Sequence, residues 1–560
     1  MKKIVSLLLA AILAVALVLP AAAVTPTFPD VPADSTLKAE IEAAANYGLM
    51  NGMTDGTFGY ANSMTRSQFI TVLDRMFGWN AKSAATPSFS DVPMSNYWYP
   101  YVETAVAHQV VDAGGTFRPY AAITREEMAV MLVRALGYRS VSAAAASDSL
   151  PFKDVSGTNR GYISMAYAIG MTKGTTATTF APKATATRAQ AAAMLVRIYE
   201  KYIHSVDWLH GFYSISSYSQ ISLTDQMDAV SAGWSRMCYD SSTGALLSTT
   251  SKNANEFYVP SGYSSVTDYL SGNGTPLNLC VYMDTSVTSG STNSLYAMLA
   301  SEEGRGEAVA QIVNELTTSY KAIGKNPYGG VTIDFEGLRG SAVKANYNTF
   351  LTALAAQVHA LGKTLYVTVQ PVLTTGAYFD GYDYRTIGTL ADKVLLMAHD
   401  YNASDLTGYL GTTYYKTTAL TPISQVYESL RAITDPNSGV QDTGKIALAI
   451  NCTGLAWETD ASGKLTSASP VQPTISTIYT RLKQSSTTIG WSDTYLNPYA
   501  TYTTEDGTHI FLWYEDSRSV AAKVELAKLF GIDGVSLWRL GNIPNYGDSG
   551  IYYNVMGAIS

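Results

Sequence analysis

One pattern is written three times in the first third of the chain: Phe28-Pro29-Asp30-Val31, Phe89-Ser90-Asp91-Val92 and Phe152-Lys153-Asp154-Val155, at spacings of 61 and 63 residues. An internal repeat of this period means that the first 200 or so residues are built from copies of one unit. Each opening leads into a helical stretch, marked by Ile41, Ala44 and Ala45 in the first copy and by Val102, Ala105 and Val106 in the second, then a glycine-rich turn and a Thr-Arg pair. The pairs are Thr65-Arg66, Thr124-Arg125 and Thr187-Arg188, and three residues past each Thr stands Gln68, Glu127 or Gln190. That is a capping box, in which the Thr hydroxyl and the later side chain satisfy free backbone N–H groups, so three helix starts are expected here. Apolar stripes follow at helical spacing: Phe69, Val72, Leu73, Met76; Met128, Met131, Leu132, Ala135; and Ala191, Met194, Leu195, Ile198. Gly78 and Gly137 sit where C-terminal caps are needed.

An arginine in the first helical position three times over is not explained by folding alone, because the helix dipole disfavours positive charge there by about a few tenths of a kcal/mol. Two readings are equally open: an ion pair with the Asp of each opening, or an external anionic ligand. Phe-x-Asp-Val, Gly-Thr-Phe (Gly56 to Phe58 and Gly115 to Phe117) and Thr-Arg-x-Glu/Gln together resemble S-layer homology repeats. The resemblance implies binding of an anionic secondary cell-wall polysaccharide of a Gram-positive-type envelope, with Arg66, Arg125 and Arg188 in contact and Asp30, Asp91, Asp154 and Trp98 beside them. The copies differ: Leu37 stands in the first where Trp98 stands in the second, and the third lacks the aspartate of the Asp-Gly-Thr-Phe turn.

At 560 residues the chain exceeds one core and predicts several folding units. A net charge of −8 leaves no cationic footprint for nucleic acid. Lys2 and Lys3, the apolar run from Ile4 to Leu19, and Ala21-Ala22-Ala23 read as a signal peptide over 1–23, and no later segment is apolar enough to span a membrane. The three cysteines, Cys238, Cys280 and Cys452, lie in strand-like apolar runs and are expected to be buried thiols, so stability comes from packing and not from disulfides.

From about Trp208, short β-branched and aromatic runs alternate with helical segments, which argues for a parallel sheet with crossover helices. Strands are expected near Leu209 to Ile215, Arg236 to Tyr239, Asn278 to Met283, Val331 to Phe335, Thr364 to Val369, Lys393 to Met397, Ile446 to Cys452 and Gly534 to Leu537. Phe350 to Leu361 and Val520 to Phe530 read as helices, the second opened by Ser519. Eight such strands fit a (β/α)8 TIM barrel of about 250 residues, the surplus forming a small α+β insertion before the last strand. The whole reads as multidomain: helical repeats, taken as all-α, over 24–80, 85–140 and 148–205, then an α/β barrel over 206–560 with its insertion at about 455–512.

The fourth strand carries the chemistry: Gly329-Gly330-Val331-Thr332-Ile333-Asp334-Phe335-Glu336. Alternation puts Thr332, Asp334 and Glu336 on one face, the two carboxylates roughly 7 Å apart along the strand. They repel, so at least one should hold its proton more tightly than usual, as an acid that protonates a leaving group must. The alternative is that acidic residues at a strand end merely cap the next helix.

This strand resembles the family 18 glycoside hydrolase signature Asp-Gly-x-Asp-x-Asp-x-Glu, with Gly330, Asp334 and Glu336 in register. Met397-Ala398-His399-Asp400-Tyr401 resembles the Met-x-Tyr-Asp motif of the sixth strand, and Trp538-Arg539-Leu540-Gly541 the tryptophan of the last. Trp513-Tyr514-Glu515-Asp516-Ser517-Arg518 is similar to a segment of the branch that trims peptidoglycan in spores and walls. The resemblance implies retaining, substrate-assisted hydrolysis of β-1,4 linkages in N-acetylglucosamine-containing polymers, peptidoglycan more than chitin. Glu336 would be the acid and Asp334 the group that orients the 2-acetamido nucleophile, while Asp400, His399, Tyr401, Met397, Trp538, Trp513 and Tyr514 would contact substrate. Neither cofactor nor metal is implied. Gly329, Thr332 and His399 stand where the family has Asp, Asp and Tyr, so Asp334 should ionise more easily and the pH profile should differ, and His399 is a candidate donor to the acetamido oxygen. Two readings of another class compete: a carbohydrate-binding barrel without catalysis, and a structural wall or S-layer component.

Overall fold

The computed structural model describes residues 27–289, 292–373, 378–547 and 550–559; the expected signal peptide at 1–23 lies outside them. Among the described residues no helix is long and apolar enough to cross a membrane. The chain divides into two compact units. One takes the residues up to Leu136 with Leu150–Ala166 and Met171–Tyr199, the other Gly137–Ser149, Tyr167–Gly170 and Glu200–Ser560.

In the first unit the three Thr-Arg pairs do open helices, Arg66–Phe77, Arg125–Ala135 and Arg188–Ile203. The capping boxes close as expected: Thr65 accepts from the Gln68 amide while the Thr65 amide donates to the Gln68 side chain at 3.0 Å, and the other two copies repeat this. The apolar stripes are buried apart from Ala135, which is half-buried, and Gly78 caps its helix in the left-handed region at φ 64°. The expectation of purely helical repeats needs correction. Each capping Thr is extended, as at Thr65 (φ −85°, ψ 160°), and extended backbone offers edge groups. These pair as isolated β-bridges, Ser63 with Thr187, Thr65 with Ala122 and Thr124 with Thr185.

In the second unit eight parallel strands close on themselves: β1 Trp208–Tyr213, β2 Ala229–Asp240, β3 Leu277–Met283, β4 Gly330–Phe335, β5 Thr364–Val369, β6 Lys393–Leu396, β7 Ile446–Asn451 and β8 Gly534–Trp538. Each pairs with the next, and β8 returns to β1. Closure removes sheet edges and sends all strand C-termini to one end, where the loops meet. Gly330 is required at the start of β4, because a Cβ there would lie 2.2 Å from the Thr364 carbonyl oxygen.

The second strand runs seven residues further towards the N-terminus than its apolar run showed and pairs antiparallel with an extra strand, Gly244–Ser248. Cys238 lies on the part of that strand that pairs with the extra strand, opposite Leu246, and is exposed, against the expectation; Cys280 and Cys452 are buried free thiols. The predicted helix at Phe350 begins earlier, at Ser341, and the one expected to open at Ser519 is capped by Asp516, whose carboxylate takes the amides of Arg518 and Ser519. The insertion is α+β, with the antiparallel strands Leu455–Thr459, His509–Trp513, Asn497–Thr503 and Thr488–Ser492 and the helix Ile475–Leu482.

Inside the barrel a buried polar chain crosses the strands. Ser536 Oγ lies 2.8 Å from His210 Nδ1, His210 Nε2 2.7 Å from Ser231 Oγ, and Ser231 Oγ 2.6 Å from Thr332 Oγ1. Burial drives His210 down to about 3, so the ring is neutral and donates through one nitrogen while accepting at the other.

Candidate active site

Alternation along β4 turns Thr332 and Asp334 into the barrel, and Glu336 follows at the strand's carboxyl end, its amide bonded to the Met283 carbonyl at 2.9 Å. Asp334 is 1% exposed. Its Oδ1 accepts from Thr368 Oγ1 at 2.7 Å, and the Cys280 thiol points at Oδ2 from 3.9 Å. Burial lifts the Asp334 carboxyl to about 6, against the pull of Thr368 and of the His399 ring. Thr332 Oγ1 lies 2.6 Å from Ser231 Oγ, so no carboxylate neighbours Asp334 at that position of the strand. Glu336 is pushed up to about 8, first by burial and then by the negative charges of Asp334, Asp284 and Asp400. The pair thus has one carboxyl that gives up its proton near 6 and one that keeps it to near 8, the division of labour of a stabilising anion and a proton donor.

Beside the pair lies a cavity of about 320 Å³ lined by Phe212, Tyr213, Gly233, Cys280, Asp334 and Trp538 among others. Trp538 ends β8, its ring edge-on to Phe212 at 5.0 Å, and is joined to Arg539 by a cis peptide bond. On the loop after β6, His399 Nδ1 lies 2.9 Å from Asp400 Oδ2, and Asn451 Nδ2 donates to Asp400 Oδ1 at 2.7 Å. Asp400 adopts φ +60°, unusual for a residue with a Cβ, which is how its carboxylate turns back to His399. The Asp400 side chain is 55% exposed, and the hydrogen bonds from His399 and Asn451 outweigh its partial desolvation and hold its carboxyl below the ordinary range.

Glu336, Asp334, Asp400, His399 and Trp538 thus gather at one end of the barrel, with Met397 half-buried at the end of β6. Three residues assigned to substrate contact are engaged in the protein's own packing. The Tyr401 hydroxyl is engaged by Ser429 Oγ at 2.7 Å, on the helix Ile423–Ile433. Trp513 is 2% exposed and donates its indole N–H to the Tyr415 carbonyl, and Tyr514 is fully buried. Trp513 ends a strand interior to its sheet and Tyr514 follows it, and the two belong to the insertion's two apolar cores. Thr368 and Asn451 went unnoticed in the sequence, although both sit near the end of their strands, the signal that could have found them, and Cys280, mid-strand, was read only as a buried thiol.

In the repeats, each arginine reaches the Phe-bearing turn of another copy, the first the second, the second the third and the third the first. Arg66 Nε donates to the Phe117 carbonyl, Arg125 to Phe180 and Arg188 to Phe58, at 2.8, 2.8 and 2.9 Å, with the guanidinium over the same Phe ring. Arg66 also pairs with Glu127 at 2.6 Å. Asp30, Asp91 and Asp154 hold backbone amides of the turns: Asp30 accepts those of Phe58, Gly59 and Tyr60, Asp91 those of Phe117 and Arg118, and Asp154 those of Phe180 and Ala181. These amides, and not the arginines, are also what answers the first of the two readings of the Thr-Arg pairs. Trp98 is half-buried beside Tyr97.

A closed (β/α)8 barrel with a buried Asp-Glu pair at the mouth of its fourth strand defines a class of hydrolase scaffold. Residues 285–542 match the glycosyl hydrolases family 18, and residues 27–70, 88–129 and 151–192 match the S-layer homology domain, so the chain carries three S-layer homology repeats followed by a family 18 domain. It is similar to the cortical fragment-lytic enzyme of Bacillus subtilis strain 168, 26% identical over 234 residues that make up 41% of this chain and 50% of that one. It is also similar to an S-layer protein of Bacillus thuringiensis subsp. finitimus, 30% identical over 35% of this chain and 24% of that protein. The chain spans about half the length of the curated cortical fragment-lytic enzymes it matches. Among solved structures, the spore cortex-lytic enzyme of Bacillus cereus aligns with TM-score 0.45 at 18% identity, over 60% of this chain and 72% of that one. A chitinase of Chromobacterium violaceum aligns with TM-score 0.47 at 19% identity, over 63% and 99%.

Proposed function

We propose that this protein is a secreted, wall-anchored glycoside hydrolase that cleaves β-1,4 linkages of N-acetylglucosamine-containing polymers with retention. The observation that carries the reading is Glu336, a carboxyl lifted to about 8 beside the lower-titrating Asp334 at the barrel mouth. In the forward step Glu336 gives its proton to the glycosidic oxygen as that bond breaks. The sugar's own 2-acetamido oxygen bonds to the anomeric carbon, forming an oxazolinium ion. Asp334, ionised, orients the acetamido group and offsets the positive charge, Asp400 holds the distorted ring, and Trp538 offers its face beneath it. Water then adds to the anomeric carbon as its bond to the acetamido oxygen breaks, restoring the N-acetyl group, and gives a proton back to Glu336. The repeats would hold the enzyme on secondary wall polysaccharide, with Arg66, Arg125 and Arg188 as the cationic groups.

Peptidoglycan is preferred to chitin because repeats of this kind place the enzyme on its own wall, and because one similar protein is named a cortical fragment-lytic enzyme. Purified peptidoglycan and chitin, digested side by side with product masses, test this. Muropeptides ending in reducing N-acetylglucosamine are expected, and release from chitin alone would reverse the preference. No release from either by wild type would leave a binding or structural role.

A further inference from the structure

The cavity beside the catalytic pair carries a positive charge that the chain itself does not answer. Three charged residues line it, Asp334, Glu256 and Arg539. Asp334 belongs to the catalytic pair, and Glu256 is taken by Arg236 at 2.9 Å. Arg539 directly follows Trp538 at the end of β8 and is half-buried, yet it forms no ion pair among the described residues. Burial lowers its pKa, with no neighbouring carboxylate to offset the effect. By contrast Arg236, Arg431 and Arg518 of the same unit each meet a carboxylate, at 2.9, 2.9 and 2.6 Å. The hydrogen bonds of Arg539 all leave from Nη1, to the hydroxyls of Ser214 and, at 3.0 Å, Ser216, which follow β1. Nε and Nη2 donate to nothing among the described residues, and neither is sealed away from the cavity.

A structural tie does not account for this arrangement. Two hydroxyls are neutral acceptors that an amide side chain could serve as well, and the loop after β8 is held without Arg539. Ser217 Oγ donates to the Leu540 carbonyl, and Gln220 Oε1 accepts the amides of Gly541 and Ile543 at 2.7 and 3.1 Å. These contacts fix where the guanidinium stands and leave its Nε–Nη2 edge free, the edge suited to planar, bidentate pairing with a carboxylate. The two candidate polymers differ in that group. Chitin is N-acetylglucosamine throughout and neutral. In peptidoglycan each N-acetylglucosamine is flanked by sugars that bear a 3-O-lactyl acid, either free or extended by a stem peptide with carboxylates of its own. Resting on the hydrolase reading above, we infer that Arg539 is a specificity-determining residue: it pairs with a carboxylate carried by the sugar next to the one over Trp538, and so favours acidic peptidoglycan strands over neutral chitin.

The test varies substrate and residue together on the full chain. Soluble peptidoglycan strands, either stripped of stem peptides or still bearing them, are each compared with the same strands after methyl esterification, and with a soluble β-1,4-linked N-acetylglucosamine oligosaccharide. Wild-type kcat/KM should fall about tenfold from acid to ester, the worth of a partly exposed charge-assisted pair, and the loss should shrink as salt is raised. The ester should be cleaved no better than the neutral oligosaccharide. Arg539→Gln should bring the acid-to-ester ratio to about one, and Arg539→Lys should keep part of it, since lysine retains the charge and not the fork. A ratio seen with stripped strands places the recognised carboxylate on the lactyl group, and one seen only with stem-bearing strands places it on the peptide. Equal kcat/KM for acid and ester with both kinds of strand, or a ratio that survives in Arg539→Gln, overturns the inference. The same comparison read as binding, by isothermal titration in Glu336→Gln, separates it from the reading it rests on. If wild type cleaves none of these substrates, the hydrolase reading fails, while the titrated difference between acid and ester, and its loss on adding Arg539→Gln, still decides the role of Arg539.

Discussion

Thr368 Oγ1 donates to Asp334 Oδ1 across 2.7 Å inside the barrel. This bond favours the ionised carboxylate against the burial that lifts it to about 6, so the hydroxyl of β5 sets where the acid limb of catalysis falls. Thr368→Val removes the donor while keeping the shape. The acid limb of the kcat/KM profile should move up in pH, and activity at pH 6 should fall about fivefold or more, since an unaided buried carboxylate costs about 1–3 kcal/mol. A pH–rate profile of the variant that superimposes on wild type would show that Asp334 does not act in its ionised form.

Wild type should give a bell-shaped profile with limbs near 6 and 8. Below about 6 Asp334 is protonated and cannot offset the oxazolinium charge; above about 8 Glu336 has lost the proton it must donate. Glu336→Gln should lower kcat by roughly a hundredfold or more with substrate binding retained, as measured by turnover and by isothermal titration with the same oligosaccharide.

Much of this site was legible before any coordinates, for reasons particular residues make clear. Glu336 and Asp334 announced themselves because strand alternation puts every second residue on one face, and the eight apolar runs were long enough to mark each strand. Thr368, Cys280 and Asn451 were silent as site residues, since a hydroxyl, a thiol and an amide in an apolar run look like core until the ring closes and brings six strands together. Trp513 and Tyr514 stood out only through their resemblance to a family segment, and the sheet order of the insertion, which no local pattern carries, is what places Trp513 on an interior strand. In the repeats the capping boxes were fully local and therefore readable. The reach of Arg66 to Phe117, 51 residues away, was not.

The three arginine positions are electrostatically unequal. Arg66 meets Glu127 of the next helix at 2.6 Å, whereas the positions that correspond to Glu127 are Gln190 and Gln68 in the other two copies. An anionic polysaccharide must displace or outbid Glu127 at Arg66, but meets no carboxylate at that position near Arg125 and Arg188. Glu127→Gln should therefore tighten binding to isolated walls, by about two- to fivefold at low salt and less as ionic strength rises. Sedimentation with wall fragments across a salt series checks this, and hydrolysis of a soluble substrate should be unchanged.

Glu336 and Asp334 should also destabilise the folded barrel in alkali. Both carboxyls are raised in the folded state, to about 8 and about 6, above ordinary values of 4.5 and 3.8. A raised group contributes stability that is fully present below its unfolded value and is lost as pH rises through the folded one, because the folded state then binds protons the unfolded state has released. Replacing Glu336 with Gln removes that liability without removing the side chain's volume. The melting temperature of Glu336→Gln should therefore exceed that of wild type by a few degrees at pH 9, with the difference shrinking below pH 5 where both proteins carry a neutral group. A calorimetric series at these two pH values reads it directly. Equal melting temperatures at pH 9 would mean that Glu336 ionises at its ordinary pH and that the barrel mouth does not raise its proton affinity.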